Sequence, residues 1–332
     1  MDMVMTFMGS TSNDSSFNAW VTDITTPGVR PKVETTFTIV GFVAMGIVMG
    51  AGTVTQTGLV SYKLFFGILG LLVATAGVIG LFTLKEPSHV VKEEKKTSYW
   101  ADLFYGFRPS VVKENSTLYL ILGAMCLFNC AFQVFFPYLI VYLQYVILGD
   151  AGNQAILSSS LPKVIVLGVI AIAILLAGII ILMKLATKKK LLAFILAVAS
   201  LIVGLLTLST SNSIYSLLAG IGPTLIGYLV LTIQFGASVR DFTPPEKTGL
   251  FQGIRMIFFV LIPMVVGPAI GDYACRSAGA TYEQINIVAG EEVITKLSVP
   301  DAKMFIYSAV VAALVFIPLF LLRKRGLDKK EN

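Results

Sequence analysis

The sequence holds one histidine, three cysteines and two tryptophans in 332 residues, and only 13% of it is charged. Each scarcity removes a class of function. The lone histidine, His89, stands in a charged segment and leaves no material for a histidine triad or a histidine-based metal site. Cys126 and Cys130 fall inside one apolar run, and Cys275 sits in a polar stretch without a neighbour, so neither a disulfide framework nor a zinc pattern is expected. There is no HExxH, no Ser/His arrangement, no acidic cluster and no Walker A loop. An enzyme and an ATP-driven pump are therefore disfavoured, and no catalytic, cofactor-binding or metal-ligating residue is expected. The sequence implies no nucleic-acid partner either, because its basic residues have a simpler explanation.

What is plentiful is apolar surface. Hydrophobic residues make up 56% of the chain, against a soluble norm in which charged residues alone reach about 25%. Apolar runs lie near 38–58, 64–84, 117–145, 162–184, 191–208, 213–236, 248–270 and 304–322. They are apolar all round, whereas a soluble helix keeps one polar face. Their length suits a hydrocarbon core about 30 Å thick. The chain reads as an all-α, polytopic membrane helix bundle in a lipid bilayer. Its linkers alternate in charge: all but Lys63, Lys163, Arg276, Lys296 and Lys303 of the 25 lysines and arginines fall on one side. By the positive-inside rule that side, with the C-terminus, is the cytoplasm.

Two cytoplasmic turns echo each other. Residues 21–27 read VTDITTP and residues 239–245 read VRDFTPP, and each is followed by two spans. The agreement of motif, sidedness and spacing predicts a parallel internal repeat. Four spans separate the linker at 85–116 from Asp241, yet only 22 residues precede Asp23. The layout expected is thus two pseudo-repeated six-helix halves with the first incomplete, about eight full spans plus a partial one. The boundaries are an N-terminal transmembrane half at 1–84, a cytoplasmic linker at 85–116, a C-terminal six-helix half at 117–322 and a cytoplasmic tail at 323–332.

With this layout the chain resembles the major facilitator superfamily, without its first three and a half helices. The stretch NDSSFNAWVTDIT (13–25) is similar to the end of a fourth helix and its turn. GIIILMKLATKKK (178–190) looks like a degenerate form of the family's Gly-x-x-x-Asp-Arg-x-Gly-Arg-Arg loop, keeping Gly178 and the terminal lysines. RDFTPPEKTGLFQG (240–253) has something of the sugar–cation symporter branch. The resemblance implies secondary transport of a small, sugar-like solute across a bacterial cytoplasmic membrane by alternating access, with a proton or sodium ion as coupling partner. A membrane protein of the same fold that no longer transports is the competing reading.

Polar groups deep in the spans are the solute-binding candidates. Asp14 lies nine residues before Asp23, which sets it roughly 13 Å inside the membrane. An acidic group there is costly and reads as a proton- or cation-coupling carboxylate, or as a hydrogen-bonding partner of a neighbouring helix. Asn18 shares its face, and Asn13 adjoins it. In the third full span Asn129 and Gln133 share a face four residues apart, with Pro137 and Tyr138 following. These face either solute or a neighbouring helix. Gln234 has the same two readings. Asp23 with Arg30, and Asp241 with Arg240, read as gates between halves or as capping and topology signals. Thr243-Pro-Pro-Glu246 fits a capping box, and Arg255 is expected to snorkel to the cytoplasmic surface or to meet an anionic solute.

Overall fold

The computed structural model describes residues 15–26, 28–56, 61–83, 105–147, 149, 177–186, 189–211, 213–244, 248–276, 281–288 and 291–324. The chain folds as a helical bundle. Its helices are α1 (Ser15–Ile24), α2 (Arg30–Gln56), α3 (Tyr62–Thr83), α4 (Pro109–Glu114), α5 (Ser116–Tyr142) and α6 (Ala177–Ala186). They continue with α7 (Lys190–Ser209), α8 (Ile214–Phe242), α9 (Thr248–Met256), α10 (Ile262–Arg276), α11 (Lys303–Leu314) and α12 (Phe316–Lys324). Six segments among the described residues are long and apolar enough to cross a membrane: 63–83, 116–142, 190–209, 214–242, 248–276 and 303–324. Helix α2, at 27 residues, equals α5 in length.

Local chemistry sets several of these ends. Pro109 occupies the first turn of α4, where a missing N–H costs nothing. Ser213 and Ser216 cap α8 reciprocally, each side chain meeting the other's backbone N–H. The Thr243 hydroxyl donates back to the Val239 carbonyl at 2.6 Å, and Glu246, the other end of the expected capping box, lies outside the described residues. Helices α9 and α10 make one span through a π-helical turn at Ile257–Leu261. Such turns insert one extra residue and re-aim the side chains around them.

The core lies in the C-terminal half. Phe128 and Phe132 of α5 meet Tyr228 of α8, and Phe235 of α8 lies tilted between Phe128 and Phe194 of α7. Helices associate in lipid by close fit rather than by hydrophobic burial, so small residues mark the tightest contacts. Gly227 is one: a Cβ there would stand 2.6 Å from the Ala197 carbonyl oxygen of α7. Helix α5 packs against α10, α11, α12 and α8.

The N-terminal elements dock on this bundle at two places, α1 on α9 and α2 on α8. Helix α3 touches α2, and none of its spanning window is buried. The polar stretch after α10, without periodicity strong enough to suggest structure, forms an antiparallel hairpin, β1 (Thr281–Val288) with β2 (Glu291–Ser298). Its register sets Glu283 opposite Lys296 and Ile285 opposite Ile294. This pair of strands is the one addition to the helical plan among the described residues.

Candidate functional site

Where α1 and α2 meet α8 and α9, the bundle buries a cluster of charged and amide side chains. Asn18, Thr22, Glu34, Arg240, Gln252 and Arg255 are all less than one-tenth exposed. Arg240 is its centre, at 2% exposure. Its Nε donates to Glu34 Oε1 at 2.5 Å; its Nη1 donates to the Asn18 carbonyl at 2.7 Å and to Thr22 Oγ1 at 3.2 Å. Its Nη2 reaches Asn18 Oδ1 at 3.0 Å. All five donor hydrogens of a guanidinium point in fixed directions, so this many contacts hold α8 in one register against α1 and α2.

Arg255 completes the inner layer. Its Nη1 donates to Asn18 Oδ1 at 2.8 Å and to Gln252 Oε1 at 3.4 Å, and its guanidinium lies 5.3 Å from the centre of the Phe259 ring. Asn18 Oδ1 thus accepts from two arginines at once. Gln252, fully buried, donates to Thr22 Oγ1 at 3.3 Å. Arg255 turns inward, across the seam, instead of snorkelling to the surface. Enough neutral acceptors surround it to offset part of its burial cost.

An outer layer lies one turn nearer the ends of these helices. Arg30 Nη1 donates to Asp241 Oδ1 at 3.2 Å and to the Arg240 carbonyl at 2.9 Å, while its Nη2 reaches the Thr22 carbonyl at 3.3 Å. Lys190 Nζ, the last lysine of the 178–190 loop, holds the other oxygen of Asp241 at 2.9 Å. Asp23 stands exposed at the rim. Partial burial raises its carboxyl above the ordinary carboxylate range, opposed by a hydrogen bond from Thr248 and by the charge of Arg30.

Gly236 lets the inner pair form. A Cβ on it would lie 2.7 Å from Glu34 Oε2, so the Glu34 carboxylate occupies the space a larger residue would fill. The sequence repeat pointed at both turns that carry this cluster. A family comparison decides what bundle it belongs to: the model of the Major Facilitator Superfamily matches residues 3–268, well over half of the chain. The chain belongs to the major facilitator superfamily. It is an integral, multi-pass membrane transporter rather than an enzyme at the family level, with a small-molecule solute and the lipid bilayer as partners. No curated protein matches the sequence.

This superfamily member gathers Asn18, Arg30, Arg240, Asp241 and Arg255 into one cluster, with Asp23 at its edge. The ion pairs join α2 to α8, Arg30 to Asp241 and Arg240 to Glu34, rather than joining neighbours within each turn. Asn13 and Asp14 lie outside the described residues. The α5 candidates lie elsewhere, in helix contacts. Asn129 donates to the Met125 carbonyl of its own helix at 2.8 Å, and Tyr138 donates to the Pro268 carbonyl of α10 at 2.9 Å. Gln133 abuts Gly267, also of α10. Gln234 is buried in α8 with neither amide atom hydrogen-bonded, and Ser238 one turn on is the same. Sequence reasoning passed over Glu34, Thr22, Gln252 and Lys190. Glu34 had a usable signal: an acidic residue four places after Arg30, on the same face of a helix entering the membrane.

Proposed function

We propose that this transporter moves its solute by alternating access, as a secondary carrier, and that the buried cluster is the latch closing its cytoplasmic end. The observation that carries the reading is the Arg240–Glu34 pair, which ties α8 to α2 across the two halves at 2.5 Å. Ion pairs buried between two bodies are weak sources of net stability, yet costly to break one-sidedly. That combination suits a contact that must hold in one state and be replaced as a set in the other. The cytoplasmic assignment follows from the charge asymmetry of the linkers.

In this reading the solute is small and sugar-like, after the symporter-like turn at 240–253, and a proton or sodium ion couples through Asp14. The depth that the sequence gives Asp14 is the support for coupling. A direct test places cysteines at Thr22 and Gln252, whose side chains lie 3.3 Å apart across the seam. The full chain in proteoliposomes, treated with a short thiol cross-linker, should lose uptake across a panel of labelled sugars and sugar acids and regain it on reduction. Uptake that is equal before and after cross-linking would refute the latch. Replacing Asp14 by Asn should remove the pH or sodium dependence of that uptake.

A further inference from the structure

The cluster is unbalanced in charge, and the imbalance has an address. Among the described residues the inner layer sets Arg240 and Arg255 against one carboxylate, Glu34, and the outer layer sets Arg30 and Lys190 against Asp241. Among the described residues Arg255 has only neutral acceptors, and its Nε is buried without a hydrogen-bond partner. Its guanidinium and that of Arg240 converge on a single amide oxygen, Asn18 Oδ1, at 2.8 and 3.0 Å. A neutral carbonyl between two cations occupies a position where an anionic oxygen would bind more strongly.

Division of these residues between the halves sharpens the point. Glu34, Asn18, Thr22 and Arg30 belong to α1 and α2, while Arg240, Arg255, Gln252, Lys190 and Asp241 belong to the C-terminal bundle. When the halves part, Lys190 keeps Asp241. Arg30 and Glu34, four apart on α2, can pair with each other. Arg240 and Arg255 lose their acceptors on α1 and α2 and face the opened cleft together, with Gln252 beside them. Two partly desolvated guanidiniums without a counter-charge are strongly unfavourable.

We infer that the solute carries a carboxylate or phosphate group, which bridges Arg240 and Arg255 in place of Asn18 Oδ1 and the Glu34 carboxylate when the cytoplasmic end opens. The inference rests on the alternating-access reading and names the solute class for it. Both arginines present planar, two-pronged donors matched to the paired oxygens of such groups. Binding of the anion then substitutes for the latch, and the empty carrier stays closed at this end because no other described carboxylate reaches the pair.

The test uses the full chain in nanodiscs of zwitterionic lipid, with inorganic phosphate, gluconate and glucose as probes and calorimetry as the readout. Phosphate or gluconate should bind and glucose should not. Arg255→Gln should weaken the anion about tenfold or more, and Arg255→Lys should retain part of the affinity. Asn18→Asp is the decisive variant: it supplies a built-in carboxylate between the guanidiniums, so it should raise Tm and lower anion affinity about tenfold. Absence of anion binding, or anion affinity unchanged in both Arg255→Gln and Asn18→Asp, overturns the inference; a counter-charge from Asp14 would give the first result. Phosphate-type occupancy that needs phosphatidylglycerol in the disc and fails with free phosphate overturns it in favour of a lipid headgroup. Proteoliposome uptake of the same probes separates the two readings. Glucose uptake without gluconate uptake sinks the anionic solute and leaves alternating access standing. Arg255-dependent anion binding with no uptake of any probe does the reverse.

Discussion

Glu34→Gln removes one charge and almost no volume, and the structure says where the loss is felt. Glutamine keeps an oxygen for Arg240 Nε, so the hydrogen bond survives in form, and Gly236 still leaves room for the side chain. Among the described residues, what remains hydrogen-bonded to Arg240 is the Asn18 carbonyl, Asn18 Oδ1 and Thr22 Oγ1, all neutral. Leaving one member of a buried pair uncompensated costs about 3–5 kcal/mol, and the retained hydrogen bond places this variant near ~3 kcal/mol. That is roughly a 150-fold change in the closed-to-open ratio. A carrier resting at about 99:1 closed would then sit mainly open. Spin labels at Thr26 and Lys189, both exposed on opposite sides of the seam, report the separation directly. The variant should show a longer inter-label distance as its major population. A distance distribution identical to that of the unmodified gate, in a folded protein, would refute the assignment of Arg240–Glu34 as the tie that holds this end shut.

Gly236→Ala should act on the same pair from the other side, because its Cβ meets the Glu34 carboxylate. Overpacking of about 1–3 kcal/mol should appear as a lower Tm and a weaker Thr22–Gln252 cross-link, and an unchanged cross-link yield would contradict it. Asp23→Asn tests the rim. The folded-state pKa of Asp23 is raised, so its stabilising contribution is fully present below the ordinary carboxylate range and is lost as pH rises through the raised value. The Tm of the variant minus that of the unmodified chain should therefore grow from acidic to neutral pH; a constant difference would remove Asp23 from the network.

The seven-residue echo between 21–27 and 239–245 led to the right end of the molecule, since both turns carry the cluster. It misassigned the partners. Adjacent residues on a helix point about 100° apart, so Arg240 and Asp241 cannot serve each other and reach separate neighbours instead. Glu34 was hidden because the apolar run was read as starting near residue 38, leaving it in a linker; its meaning depends on α8 arriving beside it. Arg255 shows the opposite error. Snorkelling is the ordinary fate of an arginine near a helix end, and the Asn18 amide brought by folding, with Gln252 and the Phe259 ring of its own span, holds it inward. The sequence could not decide between solute and helix for Asn129 and Tyr138, and their hydrogen bonds to Met125 and Pro268 now use those donors in packing. The helical plan was legible because apolar runs declare themselves. The hairpin after α10 was not, since its strands alternate too weakly.

Helix α3 has a practical consequence. With none of its spanning window buried and α2 as its neighbour, it is held in place by the surrounding lipid more than by the protein. Extraction into detergent exchanges that lipid for a mobile micelle. The 62–83 segment should then be the first to separate, while the cluster at the ends of α8 and α9 is still intact. Purification in a lipid disc and purification in micelles would thus deliver two preparations with the same latch and different edges.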